Sequence, residues 1–134
     1  MRALRLAVLL VVVSIVSGCA TSDWRNEDTR RMQVANTALI AFDTAQTLHI
    51  ARCPGRYYEQ NPVLGKHPSE ATVILGGIAY GTGSWFLAKW LDARGWDKTA
   101  RALQYVQFSG HGIAITNNVT RGLKPFGSDC NGRD

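Results

Sequence analysis

"ATVILGGIAYGTGSWFLAKWL", residues 71 to 91, is the stretch on which the fold turns. It carries no charge until Lys89, and its apolar length is close to the roughly 20 residues that cross a bilayer as a helix. It also holds Gly76, Gly77, Gly81 and Gly83. Each glycine weakens a helix by about 1 kcal/mol against alanine. Such residues persist where a neighbouring helix must come close, and Gly77-x-x-x-Gly81 and Ala79-x-x-x-Gly83 are small-residue pairs of that kind. Ser69 is placed to cap the helix, Glu70 suits its first turn, and Gly95 ends it. A helix over about 70–93 follows. As the central helix of a small bundle it is expected to be nearly buried; as a membrane span it would face lipid. Trp85, Phe86 and Trp90, with Lys89 among them, fit a core edge packed on Trp96, and they also fit a membrane interface.

Downstream, Asp97 reads as an N-cap and Lys98 to Thr120 as a third helix. Ala102, Leu103, Val106, Gly110, Ile113, Ala114 and Asn117 share one broad face. The short connection at Arg94–Asp97 makes the second and third helices antiparallel neighbours. Gly122 stops the third helix, and residues 123–134 form an irregular tail. Upstream lies "CPGRYYEQNPVLGKHPS", residues 53–69, whose three prolines and two glycines forbid a regular element. Val63-Leu64 is an apolar insert expected to plug into the core. Before that loop, residues 28–52 form a first helix. Its recurring residues are Met32, Ala35, Leu39, Phe42, Ala45, Gln46, His49 and Ile50. The expected fold is all-α: a bundle of three main helices in one domain, residues 28–122, with the long loop between the first two.

The chain has 134 residues, 46% hydrophobic and 19% charged, with net charge +5. That composition argues against disorder. No basic stripe with interleaved aromatics appears, which argues against a nucleic-acid partner. Arg2 and Arg5 precede an apolar run, Leu6 to Val13, and Val16-Ser17-Gly18-Cys19 follows. The whole resembles the leader of a bacterial lipoprotein with its lipobox. The resemblance implies a signal peptide over 1–18 and diacylglycerol and palmitate-type acylation of Cys19. It also implies a tether over 19–27 and, with Ala20 rather than Asp after the cysteine, the periplasmic face of the outer membrane. Cys53 and Cys130 then remain as an even pair in an oxidising compartment, expected to form a disulfide.

Asp43, Gln46 and Thr47 share a helix face with Leu39 and Ile50. A carboxylate there needs donors, and the loop offers its backbone N–H groups and the Asn61 amide beside Pro62. Asp43 and Gln46 are therefore expected to hold the loop down; the functional alternative is a polar ligand pocket. The pattern Asp-x-x-Gln-Thr (Asp43 to Thr47), then Glu-x-Asn-Pro (Glu59 to Pro62) and "VLGKHPS", is similar to one in small helical proteins of bacteria and phages. Many of those look like two- or three-span membrane proteins. The similarity covers about 36–120 and implies a helical fold with this loop as its signature, and no activity.

His49, His67 and His111 lie on three segments without metal-ligand spacing, so no metal or cofactor is expected. His111, between Gly110 and Gly112, is expected to bond across to Asp43 or the loop. No Gly-x-Ser-x-Gly occurs, Ser109-Gly110-His111 adjacency is not a triad, and nothing brings Glu59 and Glu70 together as a carboxylate pair. The expected function is that of a lipid-anchored envelope protein, not an enzyme, that binds or scaffolds. It would reach the membrane through Cys19 and act on an envelope protein partner. The alternative is a small multi-span membrane protein; an envelope hydrolase or metal-binding protein comes third.

Overall fold

The computed structural model describes residues 23–125 and Cys130. The leader 1–18, Cys19 and the rest of the tail lie outside the described residues. Three helices make the bundle: α1 (Glu27–Arg52), α2 (Glu70–Ala93) and α3 (Asp97–Thr120). They run up, down and up. α1 packs along both of the others, and α2 meets α3 more sparingly.

Local chemistry sets the helix ends. The Asn26 side chain accepts from the backbone N–H groups of Asp28 and Thr29, satisfying orphan donors of the first turn. Ser69 Oγ accepts from Thr72 N–H at 3.1 Å. α2 ends on Gly95 at φ +73°, where Gly95 N–H reaches the Asp92 carbonyl and Trp96 N–H the Leu91 carbonyl. That is a Schellman-type stop, which needs a residue without Cβ strain. It also moves the next cap. Trp96, not Asp97, precedes α3, with no side-chain cap bond, and Asp97 is the first helical residue.

The interior keeps the expected Gln46, Thr47, His49 and Ile50 on α1 and departs from the expectation elsewhere. The buried stripe of α1 is Thr29, Gln33, Asn36, Ile40, Gln46, Thr47, His49 and Ile50. Ala35 and Phe42, expected inside, are exposed. On α3 the buried residues are Ala100, Gln104, Gln107 and Asn118, whereas Val106 and Ile113 are 71% and 63% exposed. The apolar stripe of α3 therefore points outward. α2 is not nearly buried either: only 22% of its apolar window lies inside the bundle. It turns inward Val73, Ser84, Trp85, Ala88, Leu91 and Asp92, and outward Leu75, Ile78, Phe86, Leu87 and Trp90. The reason is that the polar residues of α1 and α3 recur with the same period as the apolar ones and find one another across the helix interface.

Close approach to α1 requires Gly77, and Gly81 makes an ordinary contact. A Cβ on Gly77 would sit 2.7 Å from the Thr44 side chain, and one on Gly81 3.8 Å from Ile40. These are the contacts that bring α1 against α2. A Cβ on Gly83 would meet nothing within 4 Å. At the other end of the bundle, Ile50, Cys53, Tyr57 and Leu123 form a small apolar cluster under the Cys53–Cys130 disulfide. The loop is held mostly by its own bonds. Its Val63 is 89% exposed, so the expected plug is Leu64 alone, half-buried against Gly76.

Candidate functional site

The axis of the bundle is a column of polar side chains from one end to the other. Near the start of α1, Gln104 Nε2 donates to the Thr29 carbonyl at 2.9 Å and to Gln33 Oε1 at 3.2 Å. Gln33 Nε2 donates to Ser84 Oγ, and Ser84 donates to Gln107 Oε1, both at 3.0 Å. Asn36 Nδ2 donates to the Gln104 carbonyl at 3.1 Å. All three helices thus share one hydrogen-bonded layer. Thr29, Gln33, Asn36 and Gln104 are fully buried in it.

Two turns on along α1, Asp43 Oδ2 lies 2.9 Å from His111 Nδ1, and Asp43 Oδ1 accepts from Asn118 Nδ2 at 3.5 Å. Asn118 Nδ2 also reaches Gln46 Oε1 at 3.3 Å. The Tyr80 ring stands edge-on to His111, centroids 5.5 Å apart. Below, Gln46 Nε2 donates to the Leu123 carbonyl at 3.5 Å. His49 Nδ1 lies 3.1 Å from the Lys124 carbonyl and 3.3 Å from its N–H.

The structure brings Asp43, Gln46 and His111 together and leaves Glu59 and Asn61 apart from them. Asp43 and Gln46 do not hold the loop; their partners are on α3 and just beyond it. The expectation failed because α3, rather than the loop, covers this face of α1. Glu59 Oε1 accepts from Gln60 and Asn61 N–H at 2.8 Å, and Asn61 Oδ1 accepts from Val63 N–H, so both residues serve the loop's own turns. Thr47 is buried beside Gln46 without joining this set. His67 is exposed on the loop, remote in role from His49 and His111. Among the described residues no three His, Cys, Asp or Glu side chains converge as metal ligands.

Sequence reading missed Thr29, Gln33, Asn36, Ser84, Gln104, Gln107 and Asn118. A signal existed: Thr29-Gln33-Asn36 and Gln104-Gln107-His111 are uncharged polar residues at steps of three and four, a second stripe beside the apolar one. Four polar atoms of the column have no hydrogen-bond partner among the described residues: Thr29 Oγ1, Asn36 Oδ1, Gln104 Oε1 and His49 Nε2.

The outside of the bundle completes the site. Between Arg31 and Arg52 of α1, the 20 residues carry one charge, Asp43, turned to the axis. Between Glu70 and Lys89 there are 18 residues, and between Arg101 and Arg121 there are 19, all without Asp, Glu, Lys or Arg. At 1.5 Å per residue these stretches span roughly 27–30 Å, the thickness of a bilayer's hydrocarbon core. Threonines within this belt bond back to their own helix: Thr37 to the Gln33 carbonyl, Thr44 to Ile40, Thr116 to Gly112. Aromatics cluster near its borders, with Trp24 on Trp85 and Trp90 on Trp96 at one end and Tyr57 and Tyr58 at the other. Comparison with protein-family models, with curated proteins and with solved structures returned no match to this chain.

Proposed function

We propose that residues 27–121 are a membrane-embedded three-helix bundle whose part in the cell envelope is binding or scaffolding. The observation that carries this reading is the charge-free belt around a polar axis. A water-soluble bundle gains stability by hiding apolar side chains. This one hides glutamines and asparagines and turns outward Leu75, Phe86, Val106 and Ile113. In lipid that arrangement is favourable. The outward side chains meet hydrocarbon, and the polar ones bond across the helices. Asp43, the belt's one carboxylate, is partly buried against His111 rather than left open at that depth. α2 alone, among the described residues, is long and apolar enough to cross by composition. α1 and α3 qualify through the face they present rather than their average.

Single cysteines test the belt. Cysteine at Ile78 or Ile113, near mid-belt and exposed, should resist a water-soluble maleimide in intact membranes. Cysteine at Lys98 should react once the membrane is opened on its side. Equal labelling at all three would end the reading.

A second reading keeps the bundle wholly outside the cytoplasm, held by lipid on Cys19, with its apolar belt covered by a protein partner. The disulfide favours it. The chain enters α1 at the Arg25–Asn26 end, and Cys53–Cys130 closes the opposite end. Lipid attachment and disulfide formation both belong outside the cytoplasm. A bundle that crosses the membrane puts its two ends in different compartments. It can therefore carry a lipidated Cys19 or the disulfide, but not both.

A further inference from the structure

We propose that the loop end of the bundle binds the phosphate of an anionic phospholipid, in the cleft lined by Arg56, Tyr57, Tyr58, Lys66 and His67. The proposal rests on the membrane-embedded reading. Three observations lead to it. The first is shape. These residues line an open cleft of about 490 Å³, within the size range of small-ligand sites and ample for a glycerophosphate group. The backbone around it is tied down: Tyr57 N–H donates to the Cys53 carbonyl at 3.0 Å, and Glu59 N–H to the Lys66 carbonyl at 2.9 Å. Tyr57 is itself buried in the cluster under the disulfide, so one wall belongs to the core.

The second is charge. Arg56 stands over the Tyr57 ring at 5.3 Å and gives one Nη1 hydrogen to the Cys130 carbonyl at 2.9 Å. A guanidinium has five N–H donors, so most remain for a ligand. Arg121 flanks the cleft, 5.0 Å from the centre of the Tyr58 ring and bonded to the Tyr58 carbonyl. Lys66 is exposed. Among the described residues no ion pair includes Arg56, Lys66 or Arg121. The two carboxylates of this end are engaged elsewhere. Glu70 pairs with Arg52 at 2.9 Å. Glu59 Oε1 accepts from the Gln60 and Asn61 N–H groups, and its Oε2 is buried. Three cations thus meet around one cleft without a matching anion.

The third is position. The cleft lies just beyond Arg52, Glu70 and Arg121, the charges that end the belt at this side. When hydrocarbon covers the belt, that is the depth of the lipid headgroups, where tyrosines also collect. A lipid whose chains lie along the belt brings its phosphate to the cleft. Arginine forks match two phosphate oxygens at once, and Lys66 adds a point charge. A zwitterionic headgroup sets its own ammonium against these cations, so an anionic one is preferred.

The test is native mass spectrometry of the detergent-solubilised full chain, offered phosphatidylglycerol and phosphatidylcholine with the same acyl chains. The expected result is selective retention of phosphatidylglycerol. Each cation near an anionic lipid is worth about fivefold in binding, so Lys66→Gln and Arg56→Gln should each lower that retention about fivefold. Lys66 has no partner to lose in the fold, so its variant reads the ligand alone. Lys98→Gln, at the opposite end, should leave retention unchanged, and an equal concentration of inorganic phosphate should not displace the lipid. Equal retention of the two lipids, or equal losses from Lys66→Gln and Lys98→Gln, overturns the site. Displacement by inorganic phosphate means that the cleft takes a free anion, and overturns the lipid as its occupant. Maleimide labelling of an Ile113→Cys chain in phosphatidylglycerol vesicles separates the two readings. A protected cysteine without lipid preference removes the site and leaves the span; a cysteine labelled from water overturns the span and the lipid site with it.

Discussion

A methyl group on Gly77 would press on Thr44 Cγ2 and Oγ1 at 2.7 Å, and Thr44 is fixed by its bond to the Ile40 carbonyl. Gly77→Val should therefore push α1 from α2 and lower stability by roughly 1–3 kcal/mol, read as a drop in the detergent-solubilised melting midpoint. Gly83→Ala has open space and should hold the midpoint or raise it, since alanine is the better helix former. Equal losses from the two would mean that the α1–α2 contact is not where the structure has it. Asp43→Leu is the sharper probe of the axis. It strands His111, while Asn118 keeps Gln46 Oε1, and a donor left without its acceptor costs about 1–3 kcal/mol where it is buried. At this scale the Asp43–His111 contact was legible in sequence because two flanking glycines isolate a lone histidine on α3. The Gln33–Ser84–Gln107 bonds were not. Glutamine, serine and glutamine on three different helices have no local mark that they will meet.

Helix ends were more legible than helix faces. Asn26, Ser69, Gly95 and Gly122 are capping chemistry that acts within a few residues, so the observed ends fall within one residue of the expected ones. The inward face depends on what surrounds the bundle. A periodic apolar stripe faces away from water, and that is inward in water but outward in lipid. Val106, Gly110 and Ile113 marked a real stripe whose direction their spacing could not reveal. The start of α1 shows a second local device. Buried Asp92 accepts the backbone N–H groups of Arg25 at 2.6 Å and Asn26 at 3.1 Å, strapping the entering chain to the end of α2. Asp92→Ala should free that strap, seen as faster amide exchange at Arg25 and Asn26 with the rest of α1 protected. In the same turn, hydrogen bonds from Arg30 and then Arg31 hold the Glu27 carboxyl down, from 4.5 to about 2. A lowered carboxyl contributes stability above its unfolded value and loses it as pH falls through its folded one. The first turn should thus stay ordered at pH 5 and fray between about 4.5 and 2, and Glu27→Gln should remove that pH dependence.

The whole molecule is joined at its far end by the Cys53–Cys130 bond across 77 residues, with Arg56 donating to the Cys130 carbonyl and Arg121 to that of Tyr58. In the chain-entropy model a loop of that length contributes roughly 4 kcal/mol, so Cys53→Ser should lower the unfolding midpoint markedly in oxidised protein and not in reduced protein. Mass spectrometry of chains from cell membranes should find the disulfide or an acylated Cys19, never both on one molecule. The most direct measurement of the belt itself is alkaline carbonate extraction of membranes from cells making Cys19→Ser, which removes any lipid anchor. The account predicts that the variant stays in the membrane pellet and leaves only with detergent. Release of the variant into the carbonate supernatant, or its appearance as a soluble periplasmic protein, would contradict a bundle that crosses the bilayer.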